Sequence, residues 1–388
     1  ISTRDWSSDV CSSDLKDCFV ILFAADMKKR KEDKKMSEKY RKKVKVAVIF
    51  GGYSSEYSVS LESSSAVIKN LDPEKYEVLP VGITKEGQWF SYTGPVENIE
   101  NDTWQQSEYC TPAMISPDRN THGLVLLGED GAKTMPIDVA FPVMHGKNGE
   151  DGTIQGLITM AGIPLAGCGI LASALCMDKD RAHLVAEAAG VRVPKAMVLT
   201  QGDDRKMAVD FALKTGYPVY VKPVKAGSSY GVTKVEKPVE LQSAIIKAFQ
   251  YDDEVIMEEN IDGFEVGCAV LGNRNLITGE VDEIQLSGGF FDFTEKYTLK
   301  TSEIHVPARI ELRKMQEIKQ TAKTIYRALG CRGFARVDMF LTPDGEIVFN
   351  EVNTIPGFTE HSRYPGMMKA AGLEFPEILE RIIRLAME

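Results

Sequence analysis

Asp338, Glu351 and Asn353 sit in two short runs near the end of a 388-residue chain. Arg336-Val337-Asp338 reads as strand, and the turn signal Pro343-Asp344-Gly345 follows it. A second strand, Glu346-Ile347-Val348-Phe349, then leads through Asn350-Glu351-Val352-Asn353 to a Pro356-Gly357 break. Such a hairpin brings the three side chains to one end of one sheet. Hard oxygen donors without Cys or His suit Mg²⁺, which takes carboxylates together with substrate phosphates. The same hairpin end would serve equally well as a polar edge facing solvent, so the rest of the chain must decide.

Two further stretches carry groups for a phosphorylated ligand. Tyr217 to Pro223 is a strand that carries Lys222 near its end, and the Gly/Ser run Ala226-Gly227-Ser228-Ser229-Tyr230-Gly231 follows. Backbone N–H groups and small hydroxyls in such a loop can approach anions closely. An ordinary hairpin loop has the same composition, and the lysine beside it favours phosphate. Glu254 to Ile261 is an apolar strand turning into an acidic hinge whose backbone could pair with an adenine edge, with Glu265 within reach of ribose hydroxyls.

The elements that must position these groups begin at Val44. Val44 to Phe50 is a buried-strand run that meets Gly51-Gly52, and Ser58 to Asn70 follows with helical spacing of its apolar residues. Strands at Tyr76 to Ile83 and Val139 to Val143 continue the alternation, which predicts a parallel α/β sheet. Gly51-Gly52-Tyr53-Ser54-Ser55-Glu56 lacks the later glycines of a dinucleotide fingerprint, and G-x-x-x-x-G-K-[ST] is missing too. The reading is a Rossmann-like shape without that cofactor. A helical segment begins near Asp178-Lys179-Asp180-Arg181.

Length predicts two or three domains. With 46 Lys plus Arg against 56 Asp plus Glu, the formal charge is −10, which argues against a broad nucleic-acid footprint. Seven Cys without C-x-x-C spacing indicate neither a zinc site nor a disulfide framework, as fits a reducing cytosol. The apolar run Cys18 to Ala25 is too short to span a bilayer, and its basic cluster, Lys28 to Lys35, follows rather than precedes it. Residues 1–42 are read as an extraneous or disordered leader, with true initiation expected near Met36 or Met27.

Taken together the motifs resemble the D-alanine–D-alanine ligase family of the ATP-grasp fold, from Val44 to the C-terminus. The resemblance rests on Phe50-Gly51-Gly52 with Glu56 and Val59-Ser60, on His145-Gly146 with Gly149-Glu150-Asp151-Gly152, and on Gly227-Ser228-Ser229 with Gly231. It also rests on Glu295-Lys296-Tyr297 and the run from Asn350 to Pro365. It implies a Rossmann-like N-terminal domain (43–167) followed by a two-subdomain, α+β ATP-grasp unit (168–263 and 264–388), with a lid over 286–300. It implies cytoplasmic action on D-alanine and a second D-amino acid, with no nucleic-acid or membrane partner, as a homodimer.

The resemblance also implies roles. Lys179, Lys222 and Lys296 match contacts to ATP phosphates, Ser228 and Ser229 the loop above them, Glu258, Glu259 and Ile261 the adenine hinge, and Glu265 the ribose carboxylate. Asp338, Glu351 and Asn353 match the ligands of two Mg²⁺ ions, for which Mn²⁺ could substitute. Glu56 matches the carboxylate holding the first D-alanine's ammonium, in a hydrogen-bonded set with Ser228 and Tyr297. Arg336 and the N–H of Gly357 match oxyanion donors. His145 belongs to the substrate-binding set, and Ser362 sits where the second substrate's carboxylate is held. Another ATP-grasp carboxylate–amine ligase would keep the lysines and metal residues without needing Glu56 or His361-Ser362-Arg363. A non-enzymatic nucleotide-binding module would not need the metal carboxylates.

The chain departs from the commonest family pattern in three places. Tyr57 stands where His is usual, Phe290, Phe291 and Phe293 stand where Tyr is found, and Arg363 replaces an apolar residue. These departures resemble the vancomycin-resistance ligases of D-alanine–D-serine type. Lactate-specific ligases share the arginine but lack Glu295-Lys296-Tyr297. D-serine is therefore the expected second substrate, with Arg363 organising hydrogen bonds near its hydroxyl, and D-alanine the alternative.

Overall fold

A computed structural model of the chain describes residues 43–227, 230–286 and 302–388. The first layer contains β1 (Val44–Gly51), α1 (Tyr57–Asn70), β2 (Tyr76–Ile83), β3 (Trp89–Tyr92), α2 (Val96–Glu100), β4 (Cys110–Ile115), β5 (Gly123–Gly128), β6 (Gly131–Pro136) and β7 (Val139–Pro142). Its seven strands lie in the order β6-β5-β4-β3-β2-β1-β7. Only β2-β1-β7 is parallel; β2 to β6 form an antiparallel meander. The three strands expected from the sequence, β1, β2 and β7, are the parallel ones, and the meander extends the sheet beyond them. A parallel neighbour needs a long crossover, whereas the short links after β2, β4 and β5 can only return the chain antiparallel.

Helix α1 owes its place to buried serines as much as to Val59, Leu61 and Val67. Ser60 Oγ accepts from Gly51 N at 2.8 Å and donates to Val143 O. Buried hydroxyls need such partners, and these two hold the helix start against the turn after β1 and the end of β7.

The second layer follows through α3 (Thr153–Met160), α4 (Ile170–Met177) and α5 (Lys179–Ala188). It comprises β8 (Ala196–Thr200), α6 (Arg205–Thr215), β9 (Val219–Pro223), β10 (Thr233–Val235), α7 (Leu241–Ala248) and β11 (Glu254–Glu259), with an antiparallel sheet in the order β10-β9-β11-β8. The third comprises β12 (Phe264–Leu271), β13 (Ile277–Leu286), β14 (Ser302–His305), α8 (Leu312–Ala328), β15 (Phe334–Leu341), β16 (Ile347–Asn353), α9 (Arg363–Ala370) and α10 (Phe375–Ala386). Its antiparallel order is β14-β13-β12-β15-β16.

Helix α10 is amphipathic, with Phe375, Ile378, Leu379, Ile382 and Ile383 on one buried face. That face shares a core with Val46, Val48, Val139 and Phe141 of the first sheet. Phe141, Phe334 and Phe358 meet edge to face at 5.4–6.3 Å between centroids, joining the first sheet to the third. The C-terminal segment thus locks the third layer against the first.

Candidate active site

The hairpin β15–β16 forms as its sequence predicts, and its register pairs Asp338 with Glu351 and Arg336 with Asn353. Strand alternation puts Arg336 and Asp338 on one face, and Glu351 and Asn353 beside them. A register shift just beyond the Asp338–Glu351 pair marks a bulge containing Asn350. The Asn350 carbonyl accepts from His183 Nε2 at 2.8 Å. Helix α5 therefore braces the irregularity that aims Glu351, a role for His183 with no signal in its own sequence context.

Asp338 is fully buried. Arg336 grips its carboxylate with Nε at 2.8 and 3.1 Å and Nη2 at 2.7 Å, and Asn353 Nδ2 adds a bond at 2.8 Å. The Arg363 guanidinium lies 3.3 Å from its other side. Charge-assisted bonds of this kind fix both partners.

A cavity of about 500 Å³ opens between the second and third sheets, lined by Lys179, Lys222, Glu258, Glu259, Ile261, Glu265 and Glu351 among others. Lys222 on β9 meets Glu258 on β11 at 2.6 Å. Burial works against the Lys222 charge, and Glu258 more than restores it, so the ammonium persists. Burial alone would raise the Glu258 carboxyl; Lys222 leads the charges that instead hold it below its usual range. Lys179 opens α5, whose N-cap Asp178 accepts from Arg181 N, and donates to Ala226 O at 2.6 Å. The side chain of Glu259 is committed to Arg192 and Lys195, which leaves its hinge role to the main chain. Among the described residues Glu258 Oε1 is buried without a hydrogen-bond partner. Two ammonium groups and an orphaned buried acceptor facing one cavity fit a nucleotide with phosphates and an exocyclic amine.

Glu56 is buried at the start of α1. Its carboxylate fits only because two glycines flank it: a Cβ at Gly146 or at Gly227 would lie 2.6 Å from Glu56 Oε1. The backbone at Gly227 is open to L residues. We expect Gly227→Ala to displace the carboxylate and lower kcat/KM for the first amino acid by ~10²-fold, read by initial rates at varied D-alanine. Unchanged kinetics would overturn the ammonium-binding role that the resemblance implies for Glu56.

His145 is buried just beyond β7 and has partners on both ring nitrogens. Nδ1 donates to Ile355 O at 2.8 Å, and Nε2 accepts from Ser63 Oγ at 3.0 Å. Ser63 in turn accepts from Phe358 N. Burial lowers the ring pKa to about 4, so it is neutral and both nitrogens are used internally. It positions the 355–358 turn rather than offering a hand to substrate. Glu150 works beside it, accepting from Gly146 N at 3.0 Å and Ile355 N at 2.9 Å. Burial, then the Glu56 charge, push this carboxyl up to about 8. The sequence marks Glu150 by its motif but not by its partners.

The turn from Ile355 carries Gly357 to Ser362, where a Cβ on Gly357 would meet Ser362 Oγ at 3.1 Å. Ser362 caps α9 in position, and its hydroxyl accepts from Thr359 N. Arg363 lies on the third sheet, bonded to Asp282 through Nε and Nη2 at 2.7 and 2.9 Å and to Glu265 through Nη1 at 2.8 Å. Asp282 has no precedent in the sequence reading. Tyr57 points into the first layer, donating to Asp102 and accepting from Trp104 Nε1 at 2.9 Å. Ser228, Ser229, Lys296, Tyr297, the three phenylalanines and nearly all of the 286–300 lid segment lie outside the described residues. Among the described residues no group of three His, Cys, Asp or Glu side chains is arranged to hold a metal, and no helix is long and apolar enough to cross a membrane. The oxygen donors of Asp338, Glu351 and Asn353 nevertheless suit a hard divalent ion.

Residues 45–168 match the D-ala D-ala ligase N-terminus family and residues 185–384 the D-ala D-ala ligase C-terminus family. The vancomycin B-type resistance protein VanB of Enterococcus faecalis is 48% identical over 351 residues, covering 89% of this chain and 99% of that protein. A D-alanine–D-alanine ligase of Caldicellulosiruptor bescii is 42% identical over 355 residues, covering 89% and 96%. The crystal structure of VanG D-Ala:D-Ser ligase from Enterococcus faecalis superposes with a TM-score of 0.83 at 53% identity, covering 89% of this chain and all of that one. With both halves matched and Lys179, Lys222, Glu258, Glu265 and Glu351 lining one cavity, the chain belongs to the D-alanine–D-alanine ligase family of ATP-dependent ligases on the ATP-grasp fold.

Proposed function

We propose that this ligase joins D-alanine to D-serine for peptidoglycan precursors, in the manner of vancomycin-resistance enzymes, with D-alanine as a slower second substrate. The observation that carries the reading is Arg363. A buried guanidinium directly follows Ser362, where an apolar residue stands in the common D-alanine–D-alanine pattern. Likeness to the VanG D-Ala:D-Ser ligase supports it.

In this reading Glu56 holds the first D-alanine's ammonium between Gly146 and Gly227 while ATP converts its carboxylate to an acyl phosphate. The amine of the second amino acid, held by its carboxylate at Ser362, attacks that carbonyl, and phosphate leaves. Lys179, Lys222 and Lys296 neutralise the phosphates, with Ser228 and Ser229 above them, and the Glu258–Ile261 hinge and Glu265 hold the nucleoside. Asp338, Glu351 and Asn353 would hold two Mg²⁺, or Mn²⁺ in their place, which when bound offset charge on the transferring phosphoryl oxygens. Arg336 and Gly357 N–H face the developing oxyanion, where one donor is typically worth ~3 kcal/mol. Tyr297 and the 286–300 lid complete the set and keep water from the acyl phosphate. The domain division 43–167, 168–263 and 264–388, a homodimer and a cytoplasmic site of action belong to the same reading.

The test is ADP release with D-alanine alone and with D-alanine plus D-serine, the dipeptides identified by mass. A mixture dominated by D-Ala–D-Ser supports the proposal, and one dominated by D-Ala–D-Ala makes the chain an ordinary wall-synthesis ligase. A pocket that merely tolerates a hydroxyl discriminates by only ~10²-fold, so D-alanine should still be used. Replacing Arg363 by Met should move the product ratio away from D-serine.

A further inference from the structure

We propose that His183 is a positioning residue for the metal site: it holds the strand bulge that turns Glu351 towards Asp338, and so sets how tightly a divalent ion is bound. The inference rests on the preceding reading, in which Glu351 is a metal ligand.

Residues paired across an antiparallel sheet share a face. Met339 pairs with Phe349 and Val337 with Val352, and all four lie in the core on one side of the third sheet. Asp338 pairs with Glu351 and Arg336 with Asn353, so these four belong to the other side. In a regular strand Phe349 and Glu351, two residues apart, would share a face. Glu351 would then be driven into the core beside Phe349. Asn350 is the extra residue that prevents this, because a slip of one residue moves the side chains beyond it to the opposite face. Asn350 and Glu351 accordingly both line the nucleotide cavity. The meeting of Glu351 with Asp338 thus depends on the bulge and not on strand alternation.

A bulge leaves one residue outside the ladder, and its backbone groups need partners elsewhere. The Asn350 carbonyl finds one in His183 Nε2, which donates to it at 2.8 Å from α5. The imidazole also stands edge-on to Phe349, with centroids 5.5 Å apart, so one side chain braces both the bulge and the core residue before it. His183 is buried, and among the described residues its Nδ1 has no hydrogen-bond partner. An apolar side chain would fill that seat without leaving a buried nitrogen unmet. What only the imidazole supplies there is the bond to the bulge. Lys179, one helical turn earlier on the same face of α5, lines the cavity together with Glu351. In this reading one helix both meets the phosphates and fixes the carboxylate that holds their metal.

The experiment adds Mn²⁺ to the full chain with a limiting amount of a non-hydrolysable ATP analogue and reads free ion by electron paramagnetic resonance. The parent, His183→Phe, His183→Gln and Glu351→Gln are compared, each with a thermal unfolding curve and with analogue affinity measured without metal. Phenylalanine keeps a ring against Phe349 and removes the donor, whereas glutamine returns an N–H at similar reach. We expect His183→Phe to weaken Mn²⁺ binding by about tenfold, as loss of a group supporting a metal ligand does, with metal-free analogue affinity unchanged. His183→Gln should recover most of that loss. If His183→Phe does not fold, His183→Leu, smaller and equally without a donor, takes its place. Mn²⁺ affinity within twofold of the parent in the folded donorless variant, while Glu351→Gln loses binding, overturns the positioning role and leaves the metal assignment intact. Unchanged Mn²⁺ binding in Glu351→Gln overturns the metal role of Glu351, and this proposal with it.

Discussion

Replacing Arg336 by methionine is expected to slow dipeptide formation by about 10²–10³-fold, as loss of a preorganised oxyanion donor does elsewhere. The guanidinium is held by three bonds to a fully buried carboxylate, so it needs no rearrangement when charge develops on the substrate. Methionine keeps most of the volume and removes the charge. Asp338 would still have Asn353 at 2.8 Å and Arg363 at 3.3 Å, so the fold should survive. Single-turnover ADP release separates this from nucleotide binding, which should change little. A folded variant with a rate within about threefold of the parent would take Arg336 out of the oxyanion site.

Lys222→Met should damage stability and ATP binding together, and a second substitution should separate the two. Lys222 and Glu258 form a pair whose side chains are 12% and 3% exposed. Removing one member of a buried pair leaves the other charged and unsolvated, at a cost of about 3–5 kcal/mol. Glu258 is especially sensitive because its other oxygen has no partner among the described residues. Adding Glu258→Leu replaces the pair by apolar groups, which is often neutral or stabilising. We expect the double variant to regain its denaturant midpoint but not its ATP affinity by calorimetry. Full ATP affinity in the double variant would mean that Lys222 does not meet the phosphates.

The residues that could do chemistry were legible in the chain wherever the physics is local. Alternation in a strand places Asp338 two residues from Arg336 on the same face, and a Pro-Asp-Gly turn predicts the hairpin that faces them with Glu351 and Asn353. Lys222 on a strand before a Gly/Ser loop, and Lys179 behind an Asp N-cap, are likewise short-range statements. The order of those motifs was enough to recognise an ATP-grasp ligase.

Partners of buried charges were not legible, because desolvation makes each such group seek a counter-ion wherever the fold supplies one. Arg363 finds Asp282 and Glu265 across separations of 81 and 98 residues, and nothing in the local sequence of any of them announces the others. The same is true of His145, which the family motif assigned to the substrate-binding set and whose ring nitrogens meet Ser63 and Ile355 across 82 and 210 residues. Strand direction in the first layer also lay beyond alternation alone, since link lengths decided which neighbours could be parallel. By itself, then, the sequence determined the family and the reaction class. Only the tertiary structure decided that Asp282 and Glu265 hold Arg363, because the packing of α9 on β12 and β13 sets those distances.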